Sequence, residues 1–129
     1  MRYLIGIDIG TSATKTILMD EEGNVAAQAV RDYPLYQPDN GWAEQAPEDW
    51  KQAVLETLKQ VVEQSGVDRD GIKRIGLSGQ MHGLVMLDEA GNPIRRSIIW
   101  CDQRSGQQVD EMLELLPYEK WLEITANPP

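Results

Sequence analysis

The chain reads as short β-type runs interrupted by one long helical period. Leu4-Ile5-Gly6-Ile7-Asp8-Ile9 is brief and rich in Ile, which predicts a strand buried on both faces. Gly10-Thr11-Ser12 supplies a turn, Thr14 to Met19 a second strand, and Asp20-Glu21-Glu22-Gly23-Asn24 a strong turn signal. A third strand runs from Val25 to about Tyr33, so the first three strands form successive antiparallel hairpins. Pro34 to Gly41 reads as loop. Pro47 suits the first position of a helix, and Trp50, Val54, Leu58, Val61 and Ser65 recur at steps of three and four, with Val62 widening the stripe. Gly66 ends it.

Beyond the helix, Lys73 to Ser78, Leu84 to Leu87 and Ile94 to Trp100 read as strands, the last two joined by a turn at Glu89-Ala90-Gly91-Asn92-Pro93. Val109, Met112, Leu113 and Leu116 mark a second helix, with Asp102 a candidate cap and Pro117 its end. Tyr118 to Ile124 fits one further short helix. The order βββ-α-β-ββ-α predicts an α/β fold, a mixed sheet with flanking helices. A strand, not a helix, follows the first glycine turn, which excludes a Rossmann unit.

Composition narrows the function classes. At 129 residues the chain is one domain or part of one. Its 41% apolar content supports a packed core, although Phe is absent and four Trp, four Tyr and five Met supply the bulk. Twelve basic against 21 acidic side chains give a net charge of −9, which argues against nucleic acid as a partner. No apolar run approaches a membrane span, and no secretory leader pattern opens the chain, so a cytoplasmic location with no membrane partner is expected. One Cys and one His cannot build a zinc cage.

Three segments carry candidate chemistry. In Gly6-Ile7-Asp8-Ile9-Gly10-Thr11-Ser12 a carboxylate sits at a strand end before a small-residue turn, whose N–H groups and hydroxyls can cradle phosphate oxygens. Asp8 is then placed to hold a hydrated Mg²⁺, and Lys15 to add a point charge. A plain hairpin turn with a locally bonded Asp8 is the alternative. In Ser78-Gly79-Gln80-Met81-His82-Gly83, glycines permit close approach, and Gln80 and His82 are polar groups between apolar runs, suited to a sugar. The alternative there is a structural turn with a hydrogen-bonded His. In Ile99-Trp100-Cys101-Asp102-Gln103-Arg104 an aromatic beside a carboxylate and Arg makes a polyol-contacting rim, or else a packed Trp, a helix cap and a surface Arg. Cys101 has no activating partner and reads as a packing residue.

Together G-I-D-I-G-T-S, W-A-E-Q-A-P-E-D-W, G-L-S-G-Q-M-H-G, I-I-W-C-D-Q-R and I-T-A-N resemble the N-terminal part of the FGGY carbohydrate kinases, from Tyr3 to about Asn127. S-G-Q-M-H-G and W-x-D-x-R narrow the resemblance to the branch that phosphorylates D-xylulose. Other members acting on ribulose, gluconate or a polyol are the near alternative, and a non-catalytic binding module of the same fold the distant one.

The resemblance implies a ribonuclease H-like (actin-like ATPase) fold, here a partial first lobe spanning residues 1–129, and an ATP- and Mg²⁺-dependent sugar kinase. It implies that Asp8 belongs to the catalytic centre near the phosphates and metal, with Gly10, Thr11 and Ser12 in the phosphate turn. Met81 and His82 match the family's substrate-binding pair. Trp100 and Asp102 fall where related kinases contact sugar. The general base is expected downstream of residue 129, so the chain alone is expected to be inactive and to expose apolar surface. A homodimer of the full-length protein is compatible with the resemblance.

Overall fold

The computed structural model describes residues 1–129. Four strands form the main sheet: β1 (Tyr3–Ile9), β2 (Ala13–Asp20), β3 (Val25–Asp32) and β5 (Ile72–Gly79), in the order β3-β2-β1-β5. β4 (Glu44–Gln45) and β6 (Ser97–Ile98) pair antiparallel as a separate two-residue ladder. The helices are α1 (Pro47–Ser65), α2 (Gly106–Leu115) and α3 (Tyr118–Thr125).

The hairpins β1–β2 and β2–β3 are antiparallel, as the turn signals predict. The β2–β3 turn is clasped by Asp20, whose Oδ1 accepts the backbone N–H groups of Glu22 and Asn24 and whose Oδ2 accepts the Asn24 side-chain amide. The second D-E-x-G-N stretch repeats the device: Asp88 accepts from Ala90 and from both amides of Asn92. In each, the glycine takes a positive φ, 91° at Gly23 and 82° at Gly91.

α1 begins with Pro47 at its first turn and stops at Gly66, which is left-handed at φ 64°. It packs on one face of β1–β3. The buried line on the helix is Ala53, Thr57 and Val61, facing Ile5 and Ile7 of β1, Leu18 of β2 and Ala29 of β3. Burying Val61 alone contributes about 1.5–3 kcal/mol. The inward face of β2 also carries Thr14 and Thr16, both fully buried. Thr57 donates its hydroxyl hydrogen to the Ala53 carbonyl at 2.8 Å, which leaves its oxygen to accept from Thr16 at 2.7 Å. This hydroxyl pair pins helix to sheet at the centre of the layer.

Three expectations from the chain pattern are corrected. β1 is covered on one face only: Ile5 and Ile7 are buried, whereas Leu4 and Asp8 on the other face are exposed. Only the face against α1 has a layer over it. Leu84–Leu87 is not a strand, and Ile94–Trp100 shrinks to β6. Bridges join Leu84 to Ile98 and Leu87 to Pro93, so the second limb carries extra residues that bulge out and break the ladder. Asp102 does not cap α2; Ser105 occupies that position without a side-chain bond. The helix ends at Leu115, before Pro117, and α3 follows as expected.

β5 runs parallel to β1 and has a neighbour on one edge only. Its Ile75 and Leu77 are 57% and 71% exposed, and neither α2 nor α3 has a buried residue, so the expected apolar surface is present.

The threonine pair gives a test of the core. Thr57→Val strands the Thr16 hydroxyl and is expected to destabilise by about 1–3 kcal/mol, with the double change to Val recovering much of that. Urea unfolding of both single variants and the double variant measures the coupling; additive losses would show that the pair is not an energetic unit.

Candidate functional site

β1 and β5 are parallel, so the segments that follow them leave the sheet at the same end, where parallel sheets place their ligands. The ladder extends one residue past β5: Gln80 N–H donates to the Ile9 carbonyl at 2.8 Å. Gly79 permits this approach, since a Cβ there would sit 3.0 Å from the same carbonyl oxygen. The Gly10–Ser12 turn and the Gln80–Gly83 segment therefore lie side by side.

The turn has its carbonyls engaged inward. The Gly10 carbonyl accepts from the Tyr33 hydroxyl and, at 3.4 Å, from the Gln80 side chain; the Thr11 carbonyl accepts from the Gln45 side chain at 2.6 Å; the Ser12 carbonyl accepts from Tyr33 N–H at 3.3 Å. The N–H groups of Thr11 and Ser12 donate to nothing in the chain. Bound carbonyls and unspent N–H groups are what an anion-binding turn requires.

Asp8 lies in register with Lys15 of β2 and Ser78 of β5, on the exposed face, and neither its carboxylate nor the Lys15 ammonium is ion-paired. Gly6 and Gly76, paired across the strands, leave a groove beside Asp8, Lys15 and Ser78. No group of three or more His, Cys, Asp or Glu residues is disposed to hold a metal ion. A lone free carboxylate beside an anion-binding turn still fits Mg²⁺, which keeps most of its waters and takes further oxygens from phosphates.

Ser78 also borders a second cavity of about 340 Å³, lined by Trp50, Gln80, His82, Val85 and Ile99 among others. His82 adopts a left-handed backbone, φ 61°, a conformation uncommon outside glycine though better tolerated by His than by bulky residues. Met81, its neighbour, does not line this cavity and is 70% exposed. Trp100 is 58% exposed, and its indole N–H donates to the Thr11 hydroxyl at 3.0 Å. The structure thus brings Gly10, Thr11, Ser12, Gln80, His82 and Trp100 into one neighbourhood, with Asp8 and Lys15 on the adjoining groove and Met81 at its outside.

Asp102 stands apart. Its Oδ1 accepts from the backbone N–H and Nε of Arg104 at 2.9 and 2.8 Å, and its Oδ2 from Ala43 N–H and Arg104 Nη2 at 2.6 and 2.7 Å. A carboxylate has about four lone-pair positions, and all are taken. The Arg104 hydrogen bonds above all, with those of the Ala43 and Arg104 backbones, hold its pKa down to about 2 against the opposing effect of burial.

What the candidate segments omit is the role of Trp42-Ala43-Glu44-Gln45. Trp42 stacks under the Arg104 guanidinium at 3.7 Å. Ala43 N–H binds Asp102 and its carbonyl accepts from Ile99 N–H at 3.1 Å. Glu44, buried, pairs with Arg95 at 2.5 Å and Arg104 at 2.9 Å. Gln45, 1% exposed, bonds Thr11, Trp50 and Gln80. A polar E-Q pair immediately before a helix-starting A-P is the signal that could have marked it.

Comparisons with known proteins identify the family and the fold. Residues 3–128 match the family model of the FGGY carbohydrate kinases, N-terminal domain. The chain belongs to that family. It is 46% identical over 127 residues to the xylulose kinase of Bacillus subtilis, covering 98% of this chain and 25% of that protein. It is 37% identical over 126 residues to the gluconokinase of the same organism, covering 98% of this chain and 24% of that one. Among solved structures, a xylulose kinase from Brucella ovis superposes with a TM-score of 0.89 at 32% identity, over 98% of this chain and 26% of the other. The mixed sheet with flanking helices is therefore the actin-like fold of these kinases. The chain spans about a quarter of the length of the curated relatives it matches.

The Asp102 pairing sets a pH dependence. Its folded pKa is below the unfolded value of about 3.9, so its contribution is fully present above about pH 4 and is lost as pH falls towards about 2. Thermal unfolding across that interval should show a shallower acid loss in Asp102→Asn than in the unmodified chain; equal slopes would show that the pairing does not stabilise the fold.

Proposed function

We propose that this domain holds the sugar and part of the phosphate site of an ATP-dependent carbohydrate kinase whose substrate is D-xylulose. The observation that carries the reading is the convergence, at the carboxyl ends of β1 and β5, of a turn with unspent N–H groups and the Gln80–His82 segment. The likeness to the Bacillus subtilis xylulose kinase favours D-xylulose, and the lower identity to its gluconokinase makes D-gluconate the competing substrate.

Phosphoryl transfer is mostly positioning and charge stabilisation. A sugar hydroxyl oxygen forms its bond to the γ-phosphorus of ATP while the bond to the bridging oxygen of ADP breaks, and the hydroxyl proton passes to a base. Thr11 and Ser12 N–H groups are placed to hold phosphate oxygens, with Lys15 adding positive charge. Asp8 would hold Mg²⁺ through its waters; bound there, the ion neutralises phosphate charge. Gln80 and His82 present polar atoms to the sugar, with Met81 and Trp100 at its rim.

Asp102 serves here by holding Arg104 and the Ala43 backbone, since a carboxylate with every lone pair engaged and a pKa of about 2 has no capacity to take a sugar proton. Asp102 is thereby set aside as the base, and the reading keeps that role for a carboxylate downstream of residue 129, as the family resemblance implies. A cytoplasmic location, where ATP is supplied, fits this reading.

ADP release by the full product of the gene, measured with D-xylulose, D-ribulose, D-gluconate and glycerol, tests the reading. D-xylulose is expected to give the highest kcat/KM, and Asp8→Asn to lower kcat by about 100-fold or more with little change in the sugar KM. The 129-residue chain by itself is expected to release no sugar-dependent ADP. A preference for another sugar overturns the substrate assignment; activity of the short chain overturns the location of the base.

A further inference from the structure

The polar side chains behind the cavity form a relay whose directions are dictated by chemistry. An indole N–H only donates, and a peptide carbonyl only accepts. Trp50 Nε1 donates to Gln45 Oε1 at 3.1 Å, and Gln45 Nε2 donates to the Thr11 carbonyl at 2.6 Å. Those two ends permit one orientation of the Gln45 amide. Its Oε1 is then an acceptor towards Gln80, so Gln80 must present its NH₂, which sits 2.8 Å away and also reaches the Gly10 carbonyl at 3.4 Å. The oxygen end of Gln80 is left buried and without a partner. A buried acceptor without a partner is costly until a donor arrives, and Gln80 lines the cavity.

Gln45 itself is 1% exposed and is not among the residues that border the cavity. It acts through others. We propose that Gln45 is a positioning residue for both halves of the site. It ties the carbonyl of the phosphate turn to the Gln80 amide, and so dictates that Gln80 offers its oxygen to a donor hydroxyl of the sugar. This rests on the sugar-kinase reading above, which concerns the residues that border the site and stands without it.

Two variants of the full gene product test the proposal. Gln45→Leu keeps the approximate volume and removes both ends of the relay; the sugar KM is expected to rise about tenfold or more, and the KM for ATP several-fold. Gln45→Glu discriminates between positioning and packing. When neutral, its carboxyl can donate to Thr11 and accept from Trp50 and Gln80, reproducing the relay. When ionised, it has no hydrogen for the Thr11 carbonyl. Burial raises the pKa of such a group, so the sugar KM of Gln45→Glu should approach the unmodified value at acidic pH. It should rise about tenfold through a pH break absent from the unmodified enzyme. Should Gln45→Leu fail to fold, the pH profile of Gln45→Glu decides alone. Unchanged KM values in Gln45→Leu, or a Gln45→Glu profile that parallels the unmodified one, would overturn the proposal. Absence of sugar-dependent turnover in the unmodified enzyme, read first, would instead overturn the kinase reading beneath it.

Discussion

One backbone hydrogen bond organises the end of the molecule that carries the candidate site: Gln80 N–H, one residue past β5, to the carbonyl of Ile9, the last residue of β1. It requires that β1 and β5 be parallel and adjacent, and that residue 79 carry no Cβ. Once it forms, the turn after β1 and the segment after β5 cannot diverge. The side-chain contact from Gln80 to Gly10 spans the gap that this bond has already closed, and Gln45 reaches the same two segments from β4.

The rest of the chain contributes by holding that end from behind. α1 covers the inner face of β1–β3, and its attachment is partly polar: the Thr16–Thr57 hydroxyl pair lies among Ile5, Ile7, Leu18 and Val61. Such a pair costs more to half-remove than to remove entirely, so it specifies helix register as well as proximity. At the opposite flank the Trp42–Gln45 strip plays the same part. Arg104 lies between Trp42, Glu44 and Asp102, so one guanidinium fixes an aromatic ring and two carboxylates.

The elements with strong local signals were legible from the chain. The two hairpins, the helix from Pro47 to Gly66 and the strand before Ser78 rest on turn residues and on periodicity, which act within a few positions. The irregular return from Leu84 to Ile98 was not: its second limb pairs with Glu44–Gln45, a partner distant in the chain, as well as with Leu84 and Leu87. Uneven cover on β1 was also invisible: an Ile-rich run looks alike whether one face is packed or two. Of the site, Asp8, the small-residue turn and the glycine-flanked Gln80–His82 segment stood out because their composition is unusual for a strand end. Gln45 did not: the polar E-Q pair before the helix-starting A-P marks the place, but only the packing of β4 against the turn and α1 shows that this glutamine is buried. Asp102 reads from the chain as a rim carboxylate or a helix cap, and only the fold shows that Arg104, two residues on, occupies it.

The outer edge of β5 has a further consequence. Its backbone donors and acceptors face no neighbour, and the charges at its start, Lys73 and Arg74, give way to Ile75 and Leu77 towards the site. A row of this kind templates the addition of another strand, and cationic side chains discourage it only where they stand. Intruding chains would therefore be recruited first at the carboxyl end of β5, beside the Gln80–Gly83 segment. The same few residues would then carry both the candidate site and the start of any strand addition.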